Sequence, residues 1–339
     1  MSNNLSTMHN KKVERLQWID ISRGLFMLII LWFHTEVYYF GECKIPYSMY
    51  VQNALAGFFF LSGYLYIPKI FMINKIKIIH NIFRKLVIPY IIFTFFIGIA
   101  KVLFRGENIE LLSIITNILT GNASWFISAL IICQLYLVAI QFIVNKQCLL
   151  LFACILPFLY MVFTKNYTNL SIIDGTSISV MFMYLGFLYK TYEKFLDNLN
   201  IINYIFMTLI LIILKVIEYY YNYDMIYYYI SIDNYLLFIF DTFIWCIIII
   251  KIIKKNHSSN KFISIIEWIG KHSLVFYFLC GGVPSVVSTF ANNNINYKSY
   301  TIFLFVFLSV LIITSFITYL LYNIKKFRKI ILYVYCYYW

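Results

Sequence analysis

Arg23 and His34 are the two side chains of this 339-residue sequence whose types and spacing best fit chemistry. Eleven residues separate them, and at about 100° per residue that spacing returns to within about 20° of the same helix face. At about 1.5 Å per residue the histidine lies roughly 16 Å further along the axis. Both belong to RLQWIDISRGLFMLIILWFHTEVYYF, Arg15 to Phe40, which is apolar enough to enter a hydrocarbon core about 30 Å thick. An imidazole at that depth is costly unless something uses or satisfies it. It titrates near neutrality and can take a proton from an attacking hydroxyl, the plain alternative being a polar contact between helices. A guanidinium at the mouth of the same helix can hold an anionic ligand in a forked grip, or anchor the helix against anionic lipid.

Other candidates are weaker. Asp20 lies one turn before Arg23, where an i to i+3 ion pair would fix the arginine's rotamer. Glu36 points about 200° away from His34 and is not aimed at the same centre. Lys77, Arg84 and Lys85 can receive the phosphates of a ligand or those of lipid. Asp241, flanked by LLFIF and TFIWC, sits near mid-membrane, where an acidic residue marks a site by default; it can pair with a buried cation or bind a sugar hydroxyl, the plain alternative being a structural hydrogen bond. Lys215 and Glu218 are spaced for a local ion pair. No G-x-x-x-x-G-K-[ST] phosphate loop and no G-x-S-x-G elbow occurs. The seven cysteines form no C-x-x-C pair, so neither a disulfide framework nor a metal site is expected.

The elements that must position these residues are helices in a membrane. With 62% hydrophobic and 12% charged residues, the composition indicates an all-α, polytopic helical membrane protein of about ten transmembrane helices. We expect a single domain over 1–339, with a polar N-terminus at 1–15 and a basic tail at 323–339. The net charge of +13 comes from bases lying between apolar runs, which fits orientation against membrane lipids and not a nucleic-acid partner. The first dozen residues have no signal-peptide core, so the first span is expected to stay attached.

After the first span, a second runs from about Tyr50 to Ile67 and is expected to end at Pro68. Phe71 to Tyr90 reads as a basic amphipathic helix lying on the membrane surface, with Asn74, Lys77, Asn81 and Arg84 opposite Met72, Ile76, Ile79 and Phe83. The third span follows to about Phe104, then an exterior loop. The next five cover about Trp125 to Lys146, Leu149 to Phe163, Ile178 to Tyr189, Ile201 to Tyr220 and Tyr229 to Ile250. The ninth, Ile263 to Phe290, is expected to kink at Gly281, Gly282 and Pro284, and the tenth covers Tyr300 to Tyr322. This arrangement puts 21 of 27 Lys and Arg residues on one side, so both termini are expected to be cytoplasmic.

Trp18, Asp20, Arg23, Gly24 and His34 together resemble the opening motif of the membrane acyltransferase 3 family, integral-membrane O-acyltransferases that modify sugars of surface polysaccharides and glycolipids. GFFFLSGYLY (Gly57 to Tyr66), RKLVIPY (Arg84 to Tyr90), SWFISAL (Ser124 to Leu130) and IGKHSLVFYFLC (Ile269 to Cys280) are similar to later segments of that family. Cys280 stands where the family commonly has histidine, and Arg84 and Lys85 stand where paired arginines are frequent. The resemblance extends over most of the chain. It implies His34 as base with Arg23 beside it, acetyl-CoA as donor, and no metal. It further implies Lys77, Arg84 and Lys85 as donor-binding residues, and Asp20, Tyr64, Trp125 and Asp241 as supporting or acceptor-binding ones. The implied acceptor is a carbohydrate, as polysaccharide, oligosaccharide or glycolipid, and the implied location a bacterial plasma membrane. Direct transfer and an acyl-histidine intermediate both fit the same imidazole. A carrier or flippase for lipid-linked saccharides would also need many spans with polar interiors, although the sequence shows no internal repeat. A polysaccharide polymerase would need a large exterior loop, and none is present.

Overall fold

The computed structural model describes residues 15–105, 110–143, 147–164, 171–221, 223, 225–226, 231–255, 260–295 and 297–324. Most of the polar N-terminus and of the basic tail lies outside them. Helix α1 (Gln17–Phe40) ends at Gly41, whose φ of 85° lets its N–H turn back to the Val37 carbonyl. A six-residue connection leads into α2 (Tyr47–Met72), which continues through Pro68 where the sequence suggested a stop. Proline removes one backbone bond, and in a packed membrane helix that loss is tolerated.

Helix α3 (Lys75–Ile82) is capped by Asn74, whose side chain accepts from the Ile76 N–H, and runs through a π-helical turn at Phe83–Val87 into α4 (Ile88–Arg105). The expected surface helix is therefore the first part of a crossing one, since Lys75–Ala100 is a continuous apolar stretch of span length. Its Met72-side apolar residues do face outward, Ile76 being 73% and Phe83 50% exposed, while Ile78, Ile82, Lys85 and Leu86 turn into the protein. In a bilayer both faces are apolar, so a moment that reads as "surface" can equally belong to a span.

The short α5 (Leu111–Leu119) precedes α6 (Trp125–Ile143), followed by α7 (Gln147–Thr164), α8 (Ser171–Thr191), α9 (Glu193–Asp197) and α10 (Ile201–Tyr220). A two-residue antiparallel pair, β1 (Met225–Ile226) with β2 (Ser231–Ile232), leads to α11 (Tyr235–Lys255). The expected ninth span is in fact three helices, α12 (Lys261–Lys271), α13 (Ser273–Leu279) and α14 (Val283–Asn294), before α15 (Tyr300–Asn323). The chain bends by 74° at His272, ahead of the second break that Gly281, Gly282 and Pro284 announced.

Among the described residues seven helices are long and apolar enough to cross a membrane, or eight if the bent α12–α13 pair is one span. The expected fifth and sixth spans correspond to α7, whose apolar part is shorter, and to α8. This is a polytopic helical membrane protein.

Glycines bring the central helices into backbone contact. A Cβ on Gly63 of α2 would lie 1.8 Å from the Met183 carbonyl oxygen of α8, and one on Gly270 of α12 would lie 1.7 Å from the Asp20 carbonyl oxygen of α1. Helices in lipid associate through such close approach, because their surroundings are as apolar as they are.

Candidate functional site

The α1–α12 crossing shapes a cleft at the start of α1. About 780 Å³ of open space, mouth included, is lined by Arg15, Arg23 and Lys271, by Ser62 and Ser273, and by Phe58, Leu86, Phe126, Ile127, Leu130, Leu274 and Tyr277. Lys271 and Ser273 stand on either side of the bend at His272, and both line this space. His272 is held at the bend by a 2.6 Å contact between Nδ1 and the Trp268 carbonyl and by a tilted contact with the Trp268 ring, centroids 4.4 Å apart.

Two of the cations, Arg15 and Lys271, are held by carboxylates. Asp20, fully buried, accepts from Arg15 Nε at 2.5 Å and Nη2 at 3.0 Å, so the pair expected between Asp20 and Arg23 is instead formed with Arg15. Arg15 precedes the first residue of α1, so its side chain is not bound to helical spacing and folds back over the first turn. Glu267 pairs with Lys271 and accepts from Gln17 at 2.6 Å, joining α12 to α1 beside the same mouth.

The far wall is aromatic. Phe126 contacts Phe58 at 5.7 Å, Phe59 at 4.8 Å and Tyr277 at 5.0 Å, and Trp125 stands behind it at 6.0 Å. Such interlocked rings give a rigid apolar surface.

His34 is half-buried on α1, its ring edge-on to Phe33 at 5.3 Å and stacked on Tyr38 at 6.3 Å. It does not line the cleft. Met27, Ile30 and Leu31 occupy the helix face between it and Arg23, all of them buried. Glu36 turns to α2, where the Tyr50 hydroxyl donates to it at 3.1 Å, in keeping with its expected direction away from His34.

The remaining candidates fall in other places. Lys77 is exposed on α3, Arg84 is half-buried and Lys85 only 4% exposed, these last two within the π-helical turn whose Leu86 reaches the cleft. Tyr64 belongs to a polar knot: its hydroxyl donates to Glu193 at 2.7 Å, and Lys254 binds Glu193 at 2.6 Å and Asp197 at 2.9 Å while lying over the Trp18 ring at 4.9 Å. This knot ties α1, α2, α9 and α11 together near the cleft end of the bundle. Asp241 accepts from Lys215 at 2.7 Å, which settles its pairing in favour of a buried cation, and the expected Lys215–Glu218 pair is present at 3.0 Å. Cys280, at the position where histidine is common, is buried and donates its thiol to the Tyr277 carbonyl.

Arg15, Lys271, Ser62 and Ser273 are the cleft residues that pattern alone did not single out. Ser62, Lys271 and Ser273 lie inside the segments GFFFLSGYLY and IGKHSLVFYFLC, where Lys271 directly follows Gly270 of the helix crossing, and Arg15 opens the first apolar stretch.

A family model for the acyltransferase domain matches residues 16–323. Comparison with curated proteins and with solved structures gives no match. The matched range begins one residue after Arg15 and ends with the last residue of α15, and so contains every other cleft residue, His34 and every membrane helix described above. With nearly the whole chain inside that one model, this multi-pass membrane protein belongs to the membrane acyltransferase 3 family and is an acyltransferase.

Proposed function

We propose that the protein transfers acetyl from acetyl-CoA to a hydroxyl of a cell-surface carbohydrate, working in a bacterial plasma membrane with both termini in the cytosol. The observation that carries this reading is the grouping of Arg15, Arg23 and Lys271 around one cleft, with His34 farther along the face that Arg23 shares. Three cations beside two serine hydroxyls match the phosphates of a coenzyme A donor, and the apolar walls match its pantetheine arm. Arg84 and Lys85, next to Leu86, add positive charge at the same wall, and Lys77 adds it at the exposed rim. Asp20 acts by positioning Arg15. Trp125 acts by backing Phe126. Tyr64 and Asp241 support the bundle from outside this path.

The arm directs the thioester toward His34, and the acceptor approaches from the opposite end of the bundle. His34 takes the acceptor's hydroxyl proton as the oxygen attacks the thioester carbonyl, the C–S bond breaks, and the coenzyme A thiolate leaves and is protonated. A polysaccharide, an oligosaccharide or a glycolipid can present that hydroxyl. The test is release of coenzyme A thiol by purified protein given acetyl-CoA and cell-envelope acceptor, with mass spectrometry of surface glycans in cells with and without the protein. A glycan mass that does not change by one acetyl group, together with no thiol release, would refute the reading.

A further inference from the structure

Lys215 on α10 is bound on three sides at the end of the bundle where α1 finishes. Its Nζ donates to Asp241 Oδ2 of α11 at 2.7 Å, to Glu218 Oε2 at 3.0 Å and to the Ser48 carbonyl of α2 at 2.7 Å, which occupies all three ammonium protons. The lysine side chain is 15% exposed and both carboxylates are at 0%. Among the described residues Lys215 is the cation paired with either acid, so two carboxylates face one ammonium.

Among the described residues, the rest of the shell offers no compensating charge. Glu218 Oε1 and Asp241 Oδ1 are buried without a hydrogen-bond partner. Asn53 of α2 is fully buried, and neither of its amide atoms meets hydrogen-bond geometry with a partner. Gln52 and Thr242, beside Asn53 and Asp241 in sequence, are equally buried and unpartnered. The Cys246 thiol, five residues along α11, is fully buried and brings no positive charge to the pair. An excess negative charge in such a setting is strongly disfavoured, because both carboxylates are removed from solvent and share a single ammonium.

We propose that the Lys215–Glu218–Asp241 cluster is a proton-binding site, in which the two carboxylates hold one proton between them at neutral pH. The proton comes from water at the α10–α11 end and forms an O–H on one of the two unpartnered oxygens. The cluster becomes neutral, and the new hydroxyl gives Asn53 a donor to meet. Two coupled carboxylates sharing a proton belong to the pair and not to either residue. Asp241 lies six residues, roughly 9 Å, in from the start of α11, Lys215 and Glu218 lie five and two residues from the end of α10, and their bonds tie the otherwise largely exposed α10 to α2 and α11. This inference is independent of the acyl-transfer reading.

Infrared spectroscopy of the full-length protein in phosphatidylcholine vesicles at neutral pH tests it. The wild type should show a protonated-carboxyl C=O band that shifts in heavy water. Glu218→Gln and Asp241→Asn should each abolish the cluster's share of that band, because the surviving carboxylate then pairs one-to-one with Lys215. Lys215→Met should double that share. Other buried carboxyls contribute equally throughout, so the differences between proteins carry the result. If both amide variants keep the band at wild-type intensity, the two carboxylates are ionised in the wild type and the inference fails, whether or not Lys215→Met folds.

Discussion

Asp20 grips Arg15 through two nitrogens, at 2.5 and 3.0 Å, with its carboxylate wholly buried beneath the α1–α12 crossing. The pair places a second guanidinium at the cleft that Arg23 lines. A residue just outside the helix thereby joins one inside it, and Asp20 governs the geometry without facing the open space itself.

Asp20→Asn should therefore act on donor binding. Charge-assisted hydrogen bonds contribute about 1.5–3 kcal/mol, so the loss of one charge should raise the donor KM about tenfold while changing kcat much less. Initial rates against acetyl-CoA at saturating acceptor measure it. A folded variant with unchanged donor KM would reduce Asp20 to a packing residue.

His34→Gln and His34→Ala should both remain inserted and folded while losing about 10² to 10⁴ in turnover, the usual worth of a general base. Glutamine can keep a hydrogen bond but takes no proton at neutral pH. Substantial activity in the glutamine variant would mean that His34 is a polar contact between helices.

Gly63→Ala and Gly270→Ala should destabilise the protein by about 1–3 kcal/mol each, the range of overpacked cores, because the new Cβ meets backbone that no rotamer change can move. Gly282→Ala is the control, with its nearest atom at 4.0 Å, and should stay within about 0.5 kcal/mol of wild type. Thermal unfolding in detergent ranks the three, and equal midpoints would argue against the close crossings. Gly270→Ala should also raise the donor KM, since it separates Asp20 from α12.

Cys43, in the connection between α1 and α2, should label slowly with an impermeant maleimide applied from outside intact cells. Burial, with the charge of Glu36 adding to it, pushes this thiol up to about 11, so the reactive thiolate is scarce at neutral pH. Its labelling rate should rise roughly tenfold per pH unit between about pH 7 and 9, while the thiol remains far below half-ionised. Labelling only after permeabilisation would invert the topology.

How far the sequence could be read depended on what hydropathy records. Helix α10 was legible to the residue, and α1 and α15 to within two, because each is a predominantly apolar run of span length bounded by polar segments. The bend at His272 was not legible, since hydropathy is blind to direction and the glycines downstream carried the more obvious breaking signal. Arg23 and His34 stood out through their shared face. Lys271 did not, because the position of a basic residue at a helix end says which side of the membrane it is on and not which cleft it enters. Asp20 was recognised as an arginine's partner, but helical spacing could propose only Arg23, and Arg15 lies before the helix begins.

The π-helical turn at Phe83–Val87 has its own consequence. The Ile88 N–H reaches back to the Phe83 carbonyl, five residues earlier, so this turn holds one residue more than an α-helical turn would. Everything from α4 onward is thereby phased about 100° from where α3 alone would set it. Deleting one residue here would leave an unbroken α-helix and still cross the membrane, yet it would rotate Tyr90, whose hydroxyl holds the Ile118 carbonyl at 2.7 Å, away from α5. The segment is thus a one-residue phase adjuster, and the chain's length at this point is as much a part of the cleft's specification as the side chains that line it.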